Sequence, residues 1–443
     1  MKTQVSRRKF IKQVAAGVAG PLILPRLSLA SPPSSRLQHA VIGVGGKGRS
    51  DLAGIYGSGK VDVVALCDID EKFLEQVAAE FPKARLYRDW REMLDKEDKN
   101  IDSVDVATPD HTHAPACMAA LRKGKHVFCE KPLTHEIYEA RRLTEMAREK
   151  GVATQMGIQI HSHVFYRTAV RYIQDGAIGK VKEWHSWSTA SYTTADKKRP
   201  PGEDPIPAHV AWDLWLGVAP KRPYKNEIYH PFNWRTWRDF GSGATGDFGC
   251  HIFDPVFTAL KIGPPVIVRV NAECVSDEVW PAWIEADYTF HGTDMTAGPA
   301  IWATWRDGGK RPPKERSPHL AKDYELPKSG SMIIGEEGTL VLPHVGEPQL
   351  HPVDTFKNYP KPELEPKDHY HEFVEAALGN CVAGANFDFA GPLTETVLLA
   401  NVANRFPGET LGWDSEKLRF TSCLKANKYI RRKYRRGFRV RGL

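Results

Sequence analysis

Between residues 38 and 156, short apolar runs alternate with stretches of helical period. Residues 38–44 and 61–66 read as strands, 72–81 as a helix, 103–107 as a strand and 114–123 as a helix. Residues 127–129 then read as a short strand, 137–150 as a helix and 152–156 as another strand. Short apolar strands separated by helices predict a parallel, doubly wound sheet covered on both faces. The rhythm changes after residue 158. A helix over 165–175 ends at Gly176, and 181–192 alternates like a solvent-edged strand carrying Trp184 and Trp187. The stretch to about residue 240 is rich in Trp, Pro, Tyr and Arg and reads as irregular. Strands are expected at 266–274, 283–290, 300–305, 331–335 and 338–342, with a helix at 370–378. That pattern predicts a mostly antiparallel sheet with helices on one face. The fold expectation is therefore α/β. A doubly wound nucleotide-binding domain over 36–158 is followed by an α+β domain over 159–443, and no internal repeat is visible.

The first thirty residues stand apart from this pattern. Ser6, Arg7, Arg8, Lys9 and Phe10 are followed by an apolar run over 14–24, then by Leu27, Ser28, Leu29 and Ala30. A charged start, a short apolar run and a small-residue cleavage site, with paired arginines, predict a twin-arginine leader for export of folded protein. The expected location is the periplasm. The leader changes the charge balance as well. Six of the 61 basic residues lie in it and none of the 54 acidic ones, so 55 basic residues remain against 54 acidic. A near-neutral chain removes the electrostatic support for a nucleic-acid role. The basic cluster over 425–441 reads as a solvated face or a tail packed at a subunit contact. No apolar run is long enough to span a membrane. Seven cysteines, an odd number without CxxC spacing, read as core thiols rather than a disulfide or zinc framework.

Candidate chemistry begins at the first strand. Gly43, Val44, Gly45 and Gly48 form the loop G-x-G-x-x-G between a strand and a helix. Such a loop turns tightly, lets backbone approach a pyrophosphate and aims a helix N-terminus at it. Asp68 ends the second strand, where an acidic residue holds the ribose hydroxyls and repels a 2′-phosphate. NAD is thus expected over NADP. Thr108, Pro109 and His113 follow the next strand and should line the cofactor crevice. His111 and His113 could suggest a metal, but no third ligand is obvious, and none is expected. Glu130, Lys131 and Pro132 close a further strand.

A nucleotide loop, then T-P-x-x-x-H, then E-K-P at these intervals resembles the glucose–fructose oxidoreductase, inositol dehydrogenase and rhizopine-catabolism (Gfo/Idh/MocA) family, over most of the mature chain. The resemblance implies that Lys131 lies beside the nicotinamide and the substrate hydroxyl, with Pro132 the candidate for a cis bond. The family also has a glycine-led segment with D-x-x-x-H, matched here by Asp247 and His251, which share one face if helical. His251 is then the acid/base, Asp247 orients it or binds a hydroxyl, and Lys131 stabilises the alkoxide. Trp212, Trp215, Trp234 and Trp237, with Arg235 and His230, could build a sugar site. His161 and His163, in a segment that departs from many relatives, are candidates to face substrate. The expected protein is an exported NAD-dependent oxidoreductase acting on a secondary hydroxyl of a sugar or glycoside. It would recycle a tightly bound cofactor and assemble as a homo-oligomer through the second sheet. The alternatives are a redox-neutral NAD-dependent glycosidase and a non-catalytic sugar sensor.

Overall fold

The computed structural model describes residues 36–443. The expected leader lies outside the described residues, as does the linker up to Ser35.

Among the described residues the first sheet has six parallel strands. They are β1 (Leu37–Ile42), β2 (Val61–Cys67), β3 (Arg85–Tyr87), β4 (Ser103–Val106), β5 (His126–Glu130) and β6 (Thr154–Gly157), in the order β3-β2-β1-β4-β5-β6. The order reverses between β1 and β4, so a crevice opens beyond their carboxyl ends. The helices of this half are α1 (Lys47–Gly57), α2 (Glu71–Ala78), α3 (Trp90–Lys96), α4 (Asp110–Arg122) and α5 (Ile137–Lys150). Three of these features depart from the sequence pattern. Edge strand β3 exposes Arg85 and Leu86 and has no alternation to read. Helix α3 is short and starts on Asp89, whose side chain accepts from the Arg91 N–H. Helix α4 opens at Asp110, because the polar run Asp110 to His113 conceals a helical first turn. His113 therefore sits on a helix, not in a loop.

The second sheet has nine strands among the described residues. They are β7 (Val181–Trp187), β8 (Ile267–Ala272), β9 (Ile284–His291), β10 (Ala300–Arg306), β11 (Gly330–Gly335), β12 (Thr339–Pro343), β13 (Gln349–His351), β14 (Thr410–Asp414) and β15 (Arg419–Phe420). Their order is β13-β12-β11-β7-β10-β9-β8-β14-β15, and only the β7–β10 pair is parallel. Strand β7 stops at Trp187 rather than at residue 192, which frees Tyr192 from the sheet.

The remaining helices are α6 (Val164–Gln174), α7 (Trp212–Leu216), α8 (Gly243–Leu260), α9 (Val353–Phe356), α10 (His369–Ala377) and α11 (Phe387–Ala403). Helix α8 lies on the second sheet. Its Phe253 meets Trp184, Tyr288 and Trp305 edge-on, with ring centroids 5.6 to 6.4 Å away. Helices α8 and α11 are buried nearly all round and each contains a proline. They carry no amphipathic stripe, which is why helical period does not announce them.

Helix α10 returns to the first half, where Phe373 and Val374 share a core with Leu37, Ile55, Val61 and Phe128. The basic C-terminal run also packs across both halves. Tyr434 donates to Glu139, and Arg435 donates to the carbonyls of Asp213 and Gly217. Four cysteines are buried as expected, whereas Cys381 is exposed.

Candidate active site

A cavity of about 680 Å³ occupies the crevice at the strand-order reversal. Gly43, Gly45, Gly46, Asp68, Thr108, Pro109, His113, Glu130 and Lys131 line it from the first half, and Trp215, His230, Trp234, Arg235 and His251 from the second.

The glycine loop fits a dinucleotide. Gly43 has φ 88°, and a Cβ there would stand 2.6 Å from the Ala107 carbonyl oxygen. A Cβ on Gly48 would stand 1.8 Å from the Gly43 carbonyl oxygen. Only glycine therefore lets β1, the loop and α1 pack this closely. Helix α1 has no side-chain cap; the Gly48 N–H donates to the Gly45 carbonyl, and the other N–H groups of its first turn remain available to phosphate oxygens. Gly45 has a further reason: the Phe73 ring would lie 2.6 Å from its Cβ. Val44 points its side chain into the core, while its N–H donates to Asp68 at 2.9 Å.

Asp68 lines the cavity and also ties the loop, accepting from the N–H groups of Val44, Gly45 and Asp70. Burial pushes its pKa up, partly offset by these hydrogen bonds. The cap of α2 is Asp70 instead, and Asp70 does more. Its two oxygens meet His209 Nδ1 at 2.8 Å and His230 Nε2 at 2.9 Å. The Glu71 N–H donates to the His209 carbonyl and the Ala211 N–H to the Ile69 carbonyl. The irregular aromatic segment of the second half is thereby fastened across the β2 end of the crevice.

Lys131 follows β5 at a cis bond to Pro132. His113 staples this turn to the end of β4, with Nδ1 2.8 Å from the Pro132 carbonyl oxygen and Nε2 2.7 Å from that of Thr108. The Lys131 ammonium donates to Asp247 on α8. Tyr192 donates to the other Asp247 oxygen at 2.5 Å, and Arg235 Nε stands 3.8 Å from it. Burial works to raise the Asp247 pKa, but Lys131, Arg235 and the hydrogen bonds outweigh it and hold it at about 2. Burial likewise works against the Lys131 charge, and Asp247 and Glu130 more than restore it. His251, one turn beyond Asp247, makes no hydrogen bond to it. Burial, then the Lys131 charge and His344, push the His251 pKa well down, so the ring is neutral. Its Nδ1 is buried without a hydrogen-bond partner. The arrangement is an ammonium locked on a carboxylate beside a neutral imidazole: a site able to receive a hydroxyl proton and to hold the negative oxygen left behind.

Two expected substrate residues are elsewhere. His161 does not line this cavity; its Nδ1 pairs with Asp254 at 2.7 Å beside a separate, smaller pocket. His163 caps α6, accepting from the Phe165 N–H. The segment reaches the cavity through Gln159, which donates to Glu130 at 2.8 Å. A helical turn over Gln159–Ser162 rotates the histidines away. All four tryptophans belong to a local aromatic core, and of them Trp215 and Trp234 also reach the cavity. Sequence reasoning did not single out Tyr192, Asp70, Gln159 or His344. None belongs to a motif, although Tyr192 ends an alternating run, Asp70 lies two residues beyond Asp68, and Gln159 shares the segment of His161 and His163. Among the described residues no three His, Cys, Asp or Glu side chains could hold one metal ion, and no helix is long and apolar enough to cross a membrane.

Fold and cavity together define a Rossmann-type dinucleotide-binding fold with a second, sheet-based domain. Residues 37–158 match the Gfo/Idh/MocA oxidoreductase family's NAD-binding Rossmann fold, and residues 185–296 match its C-terminal alpha/beta domain. The chain belongs to this family. It is 25% identical over 189 residues to levoglucosan dehydrogenase of Pseudarthrobacter phenanthrenivorans, covering 43% of this chain and 40% of that one. It is 36% identical over 129 residues to the scyllo-inositol 2-dehydrogenase (NAD(+)) of Bacillus subtilis, covering 29% of this chain and 35% of that one. The chain thus spans well under half the length of these relatives. In fold it is similar to the WlbA dehydrogenase of Bordetella pertussis, solved with NADH and UDP-GlcNAcA. That match has a TM-score of 0.60 at 17% identity over 86% of this chain and 99% of that one.

Proposed function

We propose that this protein is an exported NAD-dependent oxidoreductase that acts on a secondary hydroxyl of a sugar or glycoside and keeps its cofactor bound between turnovers. One observation carries the reading. Lys131 from the nucleotide half meets Asp247 of the sheet half, and His251 lines the same cavity as the glycine loop and Asp68. When bound, NAD takes up the hydride from the carbinol carbon. Lys131 holds positive charge where the hydroxyl oxygen becomes an alkoxide. Asp247, kept ionised, fixes that ammonium in place. His251, neutral, accepts the hydroxyl proton at Nε2, the ring nitrogen that is not the buried one. Trp215 and Trp234 offer apolar faces to the sugar.

The fastening of His209 and His230 to Asp70 supports cofactor retention, because a dinucleotide in the crevice would lie beneath that segment. Arg7, Arg8 and the small-residue site at Ala30 support periplasmic location. Asp68 supports NAD over NADP. Strand β8 exposes Ile267 and Arg269 on one face, which suits assembly of copies through the second sheet.

The test is to purify the exported protein without added NAD and record the reduced-nicotinamide absorption band before and after a panel of sugars and glycosides. The band should grow on reaction with a substrate hydroxyl. A preparation that carries NAD but never changes its spectrum would make the protein a sensor, and release of aglycone without net reduction would make it a glycosidase. Accumulation of unprocessed precursor on replacing Arg7 and Arg8 by lysine is expected; normal export would remove the location.

A further inference from the structure

One cation of the catalytic corner has no carboxylate within hydrogen-bond distance. Arg235 lies on the short helical turn Asn233–Thr236, with its guanidinium carbon 4.4 Å from the Phe232 ring centre and 4.2 Å from that of Trp234. Two aromatic contacts hold the planar group in one orientation at the cavity wall. Its hydrogen bond within the protein is a long one, Nη1 to the Phe232 carbonyl at 3.3 Å. Its carboxylate neighbour is Asp247 at 3.8 Å, which already accepts from Lys131 and Tyr192. Lys131 thus has Asp247 and the field of Glu130, and Lys47 donates to Asp51 at 2.5 Å, whereas Arg235 has no carboxylate oxygen within hydrogen-bond distance. Glu130 is turned to Gln159, which donates to it at 2.8 Å. Asp110, also on the wall, is turned to the Ser242 N–H at 2.9 Å.

A neutral sugar offers hydroxyls, which Tyr192, Asp247 and the Lys131 ammonium can already satisfy. It leaves the guanidinium fork without a hydrogen-bonded counter-charge once water is excluded, an unfavourable state for a desolvated cation. A carboxylate supplies that bonded partner and matches the fork with two parallel N–H···O bonds. We propose that the substrate is an acidic sugar, of the uronic or aldonic class, whose carboxylate is held by Arg235 while a neighbouring secondary hydroxyl is presented to Lys131 and His251. This deepens the reading of the site given above and rests on it.

The test uses the full exported protein with its own bound cofactor and matched pairs, glucuronate with glucose and galacturonate with galactose, followed by the reduced-nicotinamide band. The acid of a pair should have the lower KM by about ten- to a hundredfold, the scale of hydrogen bonds to a charged group. Arg235→Met should abolish that preference by raising the KM of the acid at least about tenfold more than that of its neutral partner. Arg235→Lys, which keeps the charge but not the fork, should recover part of the preference. A wild-type enzyme that prefers the neutral partner, or an Arg235→Met variant that loses both partners equally or loses its NAD, overturns the assignment while the oxidoreductase reading stands. If neither acid nor neutral sugars change the nicotinamide spectrum, the oxidoreductase reading falls and this proposal with it.

Discussion

Helix α8 presents two aspartates to two histidines, and the pairs behave in opposite ways. Asp254 gives an oxygen to His161 Nδ1 at 2.7 Å, in surroundings where both side chains are nearly inaccessible. Burial works against the His161 charge, but Asp254 outweighs it and the pKa rises. Asp247 stands four residues before His251 on the same helix, yet both its oxygens are taken by Lys131 and Tyr192. His251 gains no bonded carboxylate, and burial with the Lys131 charge pushes its pKa down. A carboxylate committed to a histidine makes a charged, structural pair. A carboxylate committed to a lysine leaves the nearby histidine neutral and free to take a proton. Sequence spacing favours Asp247 and His251 as the pair, and the structure makes the pair elsewhere.

The sharpest test of this contrast is Lys131→Met. It removes the cation that holds Asp247 and depresses His251, and kcat should fall about a thousandfold with NAD still bound. A kcat within tenfold of wild type would break the assignment. Asp254→Asn should cost about 3 kcal/mol of unfolding free energy, the scale for breaking a buried pair, with turnover retained where the protein is folded. Denaturant titration beside an activity assay separates the two; loss of turnover without loss of stability would move Asp254 into the active site. His251→Ala should lower kcat about a hundredfold and leave stability nearly unchanged.

The smallest effects are in pH, and their signs are opposite. His161 has a folded pKa raised above its ordinary 6.5. Stability from its pair is therefore full below pH 6.5 and fades as pH rises through the folded value. The difference in unfolding free energy between wild type and Asp254→Asn should shrink on that side. His251 has a folded pKa below 6.5, so it stays neutral as pH falls through the ordinary histidine range. The acid limb of kcat for oxidation should lie below pH 6.5. An acid limb above pH 6.5 that vanishes in His251→Ala would contradict the depressed pKa.

Much of the nucleotide half was legible because its signals are local. Its main strands are apolar runs, helix Ile137–Lys150 stands where its period places it, and Gly43, Gly45 and Gly48 occupy the turn their spacing predicts. What was missed there lacked a period: edge strand β3, and a first turn of α4 hidden in polar residues. In the second half, α8 and α11 are buried on all sides, so no apolar stripe marks them. Four tryptophans in a short stretch read as one sugar platform, but all four pack in one core and only two also reach the cavity, because aromatic residues serve packing as readily as binding.

From sequence alone came the residue types and the local geometry: a glycine turn, an acidic strand end, E-K-P after a strand, and Asp247 one helical turn before His251. Which side chains touch was decided by tertiary structure. Lys131 and Asp247 are 116 positions apart and meet only because α8 packs beside the end of β5. Asp70 meets His209 and His230, 139 and 160 positions on, because the aromatic segment folds back over β2. His161 faces Asp254 across 93 positions rather than the cavity, because one short helical turn rotates it there. Charge balance, and with it the protonation of a buried histidine, depends on such contacts at a few ångströms. Spacing along a chain does not contain them, since desolvation and Coulomb energy follow distance in space.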